Sequence, residues 1–304
     1  MAKDQKIYLI VFILVSCILT VIIAYNVYYP KNKSIEHSEE ISSPSNTCEI
    51  ELVENFYSPE LDIYKTLRIY LPNDYNNSLK EYPVIYMQDG QNLFDTRTAS
   101  YQKEWHVDET LQSLYENNKS SGVIIVGIDS FEMTRTDEYN PFSESTSAGP
   151  TGSKEGGGKG DKYSDFLVKT LKPYIDENYR TLKDKQNTAI IGSSYGGVIS
   201  LYTGIKYNNT FGMIGSFSFC NNVNRDAMVS YLKDNFNKDV VKDSIIYMYC
   251  GTSDFAYSDA KEAYNIGVNN GISSITFDED NGIHDESSWS DNFENCLKFL
   301  KLSK

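Results

Sequence analysis

Positive charge is scarce in this chain, and histidine is scarcer. Its 304 residues carry 28 Lys and Arg against 42 Asp and Glu, a net charge of −14. That balance argues against a nucleic-acid partner, because phosphate binding by counterion release needs a basic surface. Only three histidines are available to serve as a general base. The five cysteines include no C-x-x-C pair and have no neighbouring histidine, so no metal-ligand set is expected. A glycine cluster between Gly149 and Gly160 lacks the Lys-Ser/Thr ending of a phosphate-binding loop. No cofactor follows from it. No internal repeat is visible, which sets aside solenoid architectures.

What charge there is avoids one segment altogether. From Ile7 to Tyr25 the chain is uncharged over about one bilayer thickness of helix, after a start carrying Lys3 and Lys6. Residues 1–29 are therefore expected to be an N-terminal transmembrane helix, or an export signal, that puts the rest outside the cytoplasm. The run from Leu14 to Cys17 also resembles a lipoprotein processing site, with Cys17 as the lipid-bearing residue. The apolar run continues past Cys17, which favours an uncleaved single-pass anchor. Lys31 and Lys33 follow the span, so the positive-inside comparison is indecisive. Residues 30–47 are polar and Ser-rich with no apolar periodicity, and are expected to form a tether.

Residues 48–304 are long enough for one α/β domain with a single large core. Apolar or alternating runs at 48–57, 64–71, 83–88, 122–129, 187–193, 211–219, 244–250 and 273–278 predict strands. Helical patterns occupy 107–117, 163–178, 195–207, 225–235, 258–269 and 288–302. Two early strands joined only by turns, followed by repeating β-α units, specify a three-layer sandwich around a mostly parallel eight-stranded sheet. Residues 131–162 form a long glycine-containing connection, expected to be a mobile flap beside the site, with simple disorder the alternative. Cys220 and Cys250 lie in apolar runs and are expected to be buried thiols.

The most specific signal lies at residues 188–197, TAIIGSSYGG. An apolar strand runs into a G-x-S-x-G pentapeptide, and a helical pattern follows. In that context Ser194 is expected to sit on a sharp strand-to-helix turn as a nucleophile. A hydroxyl needs a base, and in the order nucleophile, acid, base only His284, after the last strand, has the right place. His37 falls in the tether. His106, at the start of a helix, is expected to be structural or a contact on the substrate side. The acid should follow the strand at 244–250, which selects Asp254, with Asp259 next and Asp278 and Asp280 behind it. An oxyanion needs two N–H donors, expected from Tyr195 and, in the turn after the strand at 83–88, from Gln91. Trp105 and Trp289 fall near site loops and are expected to contact substrate.

The run from Tyr82 to Asp95, Trp105 with Val107 and Asp108, the segment from Arg135 to Pro141, the stretch from Tyr163 to Leu182 and the turn at Ser194 together resemble the putative esterase family of enterochelin-esterase-like, feruloyl and acetyl-xylan esterases and mycolyltransferases. The resemblance covers about residues 50 to 302. It implies an α/β-hydrolase fold and cleavage of a small-molecule or glycan-linked carboxylic ester, with Ser194, His284 and Asp254 in the reacting roles. An acyltransferase would share that machinery. A noncatalytic binding module on a hydrolase scaffold is the alternative from another class.

Overall fold

The computed structural model describes residues 50–143 and 156–304. The expected anchor and tether, with Cys17 and His37, lie outside the described residues, as do Cys48 and residues 144–155 of the glycine-containing connection. Among the described residues no helix is long and apolar enough to cross a membrane.

Eight strands form one sheet: β1 (Ile50–Ser58), β2 (Ile63–Tyr70), β3 (Val84–Gln88), β4 (Ile124–Ile128), β5 (Thr188–Ser193), β6 (Met213–Phe217), β7 (Ile245–Tyr249) and β8 (Ile275–Asp278). Their spatial order is β1-β2-β4-β3-β5-β6-β7-β8. The β1–β2 and β2–β4 pairs are antiparallel, and every later pair is parallel. Strands β3, β4, β5 and β6 are buried at every position, which is why they read as unbroken apolar runs and not as alternating ones.

Helices cover both faces. They are α1 (Val107–Glu116), α2 (Glu132–Tyr139), α3 (Gly160–Phe166), α4 (Lys172–Asn178), α5 (Tyr195–Lys206), α6 (Arg225–Asn235), α7 (Tyr257–Asn269), α8 (Glu286–Asp291) and α9 (Phe293–Phe299). On one face Tyr86, Val126, Ile190, Ile214 and Met248 pack with side chains of α3 to α7, such as Phe166, Ile199 and Leu232. On the other, Met87, Ile191, Phe217 and Tyr249 pack with Leu111, Trp105, Phe293 and Leu297. The three-layer sandwich expected from the strand and helix order is therefore present.

Three details depart from the expected pattern. The connection expected at 131–162 contains α2, and a salt bridge between the buried side chains of Lys65 in β2 and Glu138 in α2 fixes that helix to the sheet. The helix expected at 163–178 passes through a π-helical turn at Leu167–Leu171. Pro173 follows directly, and its missing N–H removes one regular helix bond there. The last helix is broken at Asn292, whose amide donates to Asp280 Oδ2 at 2.9 Å and to the Ser288 carbonyl at 3.1 Å.

The order reverses between β3 and β5: from this pair the chain builds outward in both directions. A crevice opens at the carboxyl ends of strands at such a switch point. The turns after β3 and β5, carrying Gln91 and Ser194, flank it.

Helix α5 is pressed against the sheet at Gly197. A Cβ there would lie 2.7 Å from the Phe217 carbonyl oxygen and 3.0 Å from Ser216 Oγ. Helix propensity alone favours Ala by about 1 kcal/mol, but overpacking against backbone costs about 1–3 kcal/mol. Gly197→Ala is expected to lower the urea midpoint with an unchanged m value, and a raised midpoint would show that the helix can step back freely.

Candidate active site

Strand β5 ends at Ser193 and α5 begins at Tyr195, so Ser194 alone makes the turn. It does so at φ 57° and ψ −124°, a backbone region costing a non-glycine residue of order 1–3 kcal/mol. Its N–H donates to the Phe217 carbonyl at 2.9 Å, and its own carbonyl accepts from Val198 at 3.1 Å. The turn closes because Gly192 and Gly196 have no side chains: a Cβ on Gly192 would lie 2.5 Å from the Gly196 carbonyl oxygen. The hydroxyl is thereby lifted clear of both elements at the sheet's carboxyl edge.

His284 and Asp254 meet it there. His284 Nε2 lies 2.9 Å from Ser194 Oγ, and Nδ1 lies 2.8 and 3.0 Å from the two oxygens of Asp254. A carboxylate can only accept, so Nδ1 carries the proton and Nε2 is left to accept from the serine hydroxyl. The loops after β7 and β8 are laced together by backbone bonds, with Cys250, Thr252 and Ser253 donating to the carbonyls of Asp278, Asp280 and Gly282. That lacing holds Asp254 and His284 in register.

Asp254 itself is buried. Burial pushes its carboxyl up, but hydrogen bonds from His284, from Ser218 Oγ at 2.6 Å and from the Ala256 N–H at 2.7 Å together hold it below the usual carboxylate range. It stays ionised beside the imidazole. The other acids considered are committed elsewhere. Asp259 bonds the Asn221 N–H and Arg225, and Asp280 bonds Tyr249 and Asn292. Asp278 ends strand β8.

Ser218 is the residue that sequence reasoning missed. It lies just after β6 at φ 45°, donates to Asp254 Oδ2 and accepts from Trp289 Nε1 at 2.8 Å. A serine after a strand carries no distinctive pattern, and only its place beside the nucleophile strand hints at a role.

The two tryptophans correct an expectation. Trp105 is 3 % exposed and Trp289 4 %, so neither offers its ring to a substrate. They pack on each other at 5.8 Å, Trp105 lies edge-on to Phe217 at 4.9 Å, and Trp289 stands edge-on to His284 at 5.3 Å. Large apolar rings beside a sheet end gain more from burial than from solvent, so they form the wall behind the histidine. Phe255, by contrast, is 71 % exposed and lies over the His284 ring at 4.2 Å. Ile283 is exposed beside it in the chain.

Across the crevice the turn after β3 is clamped from several sides. Asp89 takes φ 55° and receives Arg135 at 2.8 and 2.9 Å and Ser130 Oγ at 2.6 Å. Burial opposes the Arg135 charge, yet Asp89 beside it raises the guanidinium pKa overall. The Gln91 side chain exchanges hydrogen bonds with Ser130, accepting from its N–H at 3.0 Å and donating to its Oγ at 3.1 Å. What Gln91 can offer an oxyanion is accordingly its backbone N–H. Tyr195 opens α5, so its N–H belongs to the positive end of that helix. Its hydroxyl donates to Asn222 at 2.6 Å.

Thiol chemistry is disfavoured. Burial first, then nearby carboxylates, pushes Cys220 up to about 11 and Cys250 up to about 12, and both are buried free thiols like Cys296. His106 stands apart from the triad, half exposed at the start of α1 between Glu104 and Glu109.

Comparison with known proteins bears on the fold and the family. A chain in Bacillus subtilis (strain 168), "Uncharacterized protein YbbA", is 30% identical over 150 residues, 49% of this chain and 54% of that one. The chain spans only about half the length of the curated relatives it matches first, 54% and 57%. Among solved structures, a ferulic acid esterase superposes with a TM-score of 0.66 at 22% identity, covering 84% of this chain and 98% of that one. The enterobactin esterase of Shigella flexneri superposes with a TM-score of 0.67 at 17% identity, covering 88% of this chain and 62% of that one. At those identities the likeness is one of fold. The model of the family described as "Putative esterase" matches residues 58–299, and with its sheet and strand-to-helix turn in place the chain belongs to that family.

Proposed function

We propose that this chain is a serine hydrolase that cleaves carboxylic esters through Ser194, His284 and Asp254. The observation that carries this is the unbroken hydrogen-bonded line from Ser194 Oγ through the imidazole to a buried, ionised Asp254. As Ser194 Oγ bonds to the acyl carbon, its proton passes to His284 Nε2, and Asp254 stabilises the imidazolium. The carbonyl oxygen becomes an oxyanion that the backbone N–H groups of Tyr195 and Gln91 receive. Collapse expels the alcohol, which takes the proton from Nε2, and leaves an acyl-serine. Water then repeats the sequence and frees the acid.

Phe255 and Ile283 give the His284 side of the crevice an apolar rim, which suits a small-molecule or glycan-linked ester with an apolar portion next to the scissile bond. The uncharged run from Ile7 to Tyr25 supports a place at the membrane, with the catalytic domain outside the cytoplasm. Carbonate-resistant membrane association, lost when residues 1–29 are deleted, is the expected result.

Short p-nitrophenyl esters test the chemistry. With no alcohol added, the chain should turn them over, and Ser194→Ala should lose about 10⁴-fold or more in kcat with its fold intact. Full turnover by that variant would overturn the assignment.

Ser218→Ala removes one donor from Asp254 and is expected to cost roughly tenfold in kcat, the worth of one hydrogen bond to a charged group. A depressed carboxyl stabilises the fold at every pH above its unfolded value, near about 4, and loses that contribution as pH falls through the lowered folded value. The stability difference between the native chain and Asp254→Asn should therefore narrow as pH falls below about 4, where the Asp254 carboxylate takes up its proton. Urea midpoints at pH 7, 5 and 3 check it.

A further inference from the structure

Three side chains between β3 and the first turn of α1 take no part in the ester chemistry. Glu104, His106 and Glu109 each place one ligand atom within 4.8 Å of the others. His106 Nδ1 lies 3.7 Å from Glu104 Oε1 and 3.6 Å from Glu109 Oε1. Glu104 is only 8 % exposed, and while its Oε1 faces the imidazole, its Oε2 is buried with no hydrogen-bond partner. Native proteins rarely leave a buried carboxylate oxygen unpaired, and a bound ion is one of the few reasons they do. Among the described residues no Lys or Arg forms a salt bridge with Glu104 or Glu109. Asp108, in the same turn, adds a third carboxylate with a buried, unpartnered Oδ1.

We propose that Glu104, His106 and Glu109 bind a divalent transition metal of the Zn²⁺ class. One imidazole nitrogen with two carboxylate oxygens suits Zn²⁺ or Mn²⁺, whereas Ca²⁺ takes oxygen ligands throughout. Bonds of about 2.0–2.2 Å to a tetrahedral ion put ligand atoms roughly 3.4 Å apart. The present separations need only modest closing. His106 and Glu109 are more than half exposed and can swing towards the fixed Glu104, with water completing the shell.

The ion would act at a distance from the reacting atoms. Trp105 lies between two of the ligands, its N–H donates to the Asn92 carbonyl at 2.9 Å, and the Val107 N–H donates to Leu93 at 3.1 Å. The segment is thus tied to the turn that carries Gln91. The Trp105 ring packs on Trp289, which bonds Ser218 behind Asp254. Clamping both ends of this segment would stiffen the wall behind His284, a structural role.

The test is calorimetric titration of the EDTA-treated, dialysed full chain with ZnCl₂ in a non-coordinating buffer. Co²⁺ quenching of tryptophan fluorescence gives a second readout. Saturable binding of a single equivalent is expected, weakened by more than about tenfold in His106→Ala and in Glu109→Gln. Both substitutions are at exposed positions, so unchanged circular dichroism melts of the metal-free proteins should accompany the loss. Absence of saturable binding overturns the proposal. So does stoichiometric binding that both variants retain, because the ion then sits on other ligands.

Discussion

Everything in this molecule is arranged around one strained residue. Ser194 holds a backbone conformation that its own chemistry resists, and it does so because β5 and α5 leave no room for another path. Strand β5 is buried on both faces, Gly192 and Gly196 abut each other, and Gly197 lies against the carbonyl of Phe217. The cost of the turn, of order 1–3 kcal/mol, is carried by a core that spans both faces of the sheet. A serine in a relaxed loop would need no such support, and it would not hold its hydroxyl at hydrogen-bond distance from His284.

The groups around that hydroxyl are held by a second set of contacts. Asp254 is fixed by Ser218 and the Ala256 N–H, Ser218 by Trp289, and Trp289 by its packing on Trp105. On the opposite side Arg135, Ser130 and Tyr139 clamp Asp89 and with it the turn bearing Gln91. In the proposed reaction each of these groups is therefore oriented before an ester arrives, which is where most of the electrostatic benefit of such sites originates.

Much of this was legible in the sequence, for identifiable reasons. Parallel strands buried on both faces, β3 to β6, appear as unbroken apolar runs between turn residues, and the partly exposed β1 and β2 were legible as alternating runs, so the strands were found within a few residues of their ends. Ser194 stood out because its pentapeptide followed a strand, and His284 because only three histidines were available. Asp254 followed from its place directly after β7. What remained hidden depended on contacts between residues far apart in the chain. The Lys65–Glu138 pair that fixes α2 joins residues 73 positions apart. Trp105 and Trp289 follow from sequence only as residues of loops at the sheet's carboxyl edge, because the direction of a ring is set by the cavity that receives it, for Trp105 one lined by Phe217 and Phe293. Phe255 fails in the opposite sense. An aromatic that composition would assign to a core lies in the open over His284.

The central claim is that Ser194 is a nucleophile activated by His284. Fluorophosphonate treatment of the purified chain, followed by peptide mapping by mass spectrometry, addresses it directly. The account predicts a single adduct on Ser194 that disappears in His284→Ala while the fold is retained. A folded chain that takes no adduct at Ser194, or one labelled equally well without the histidine, would contradict it.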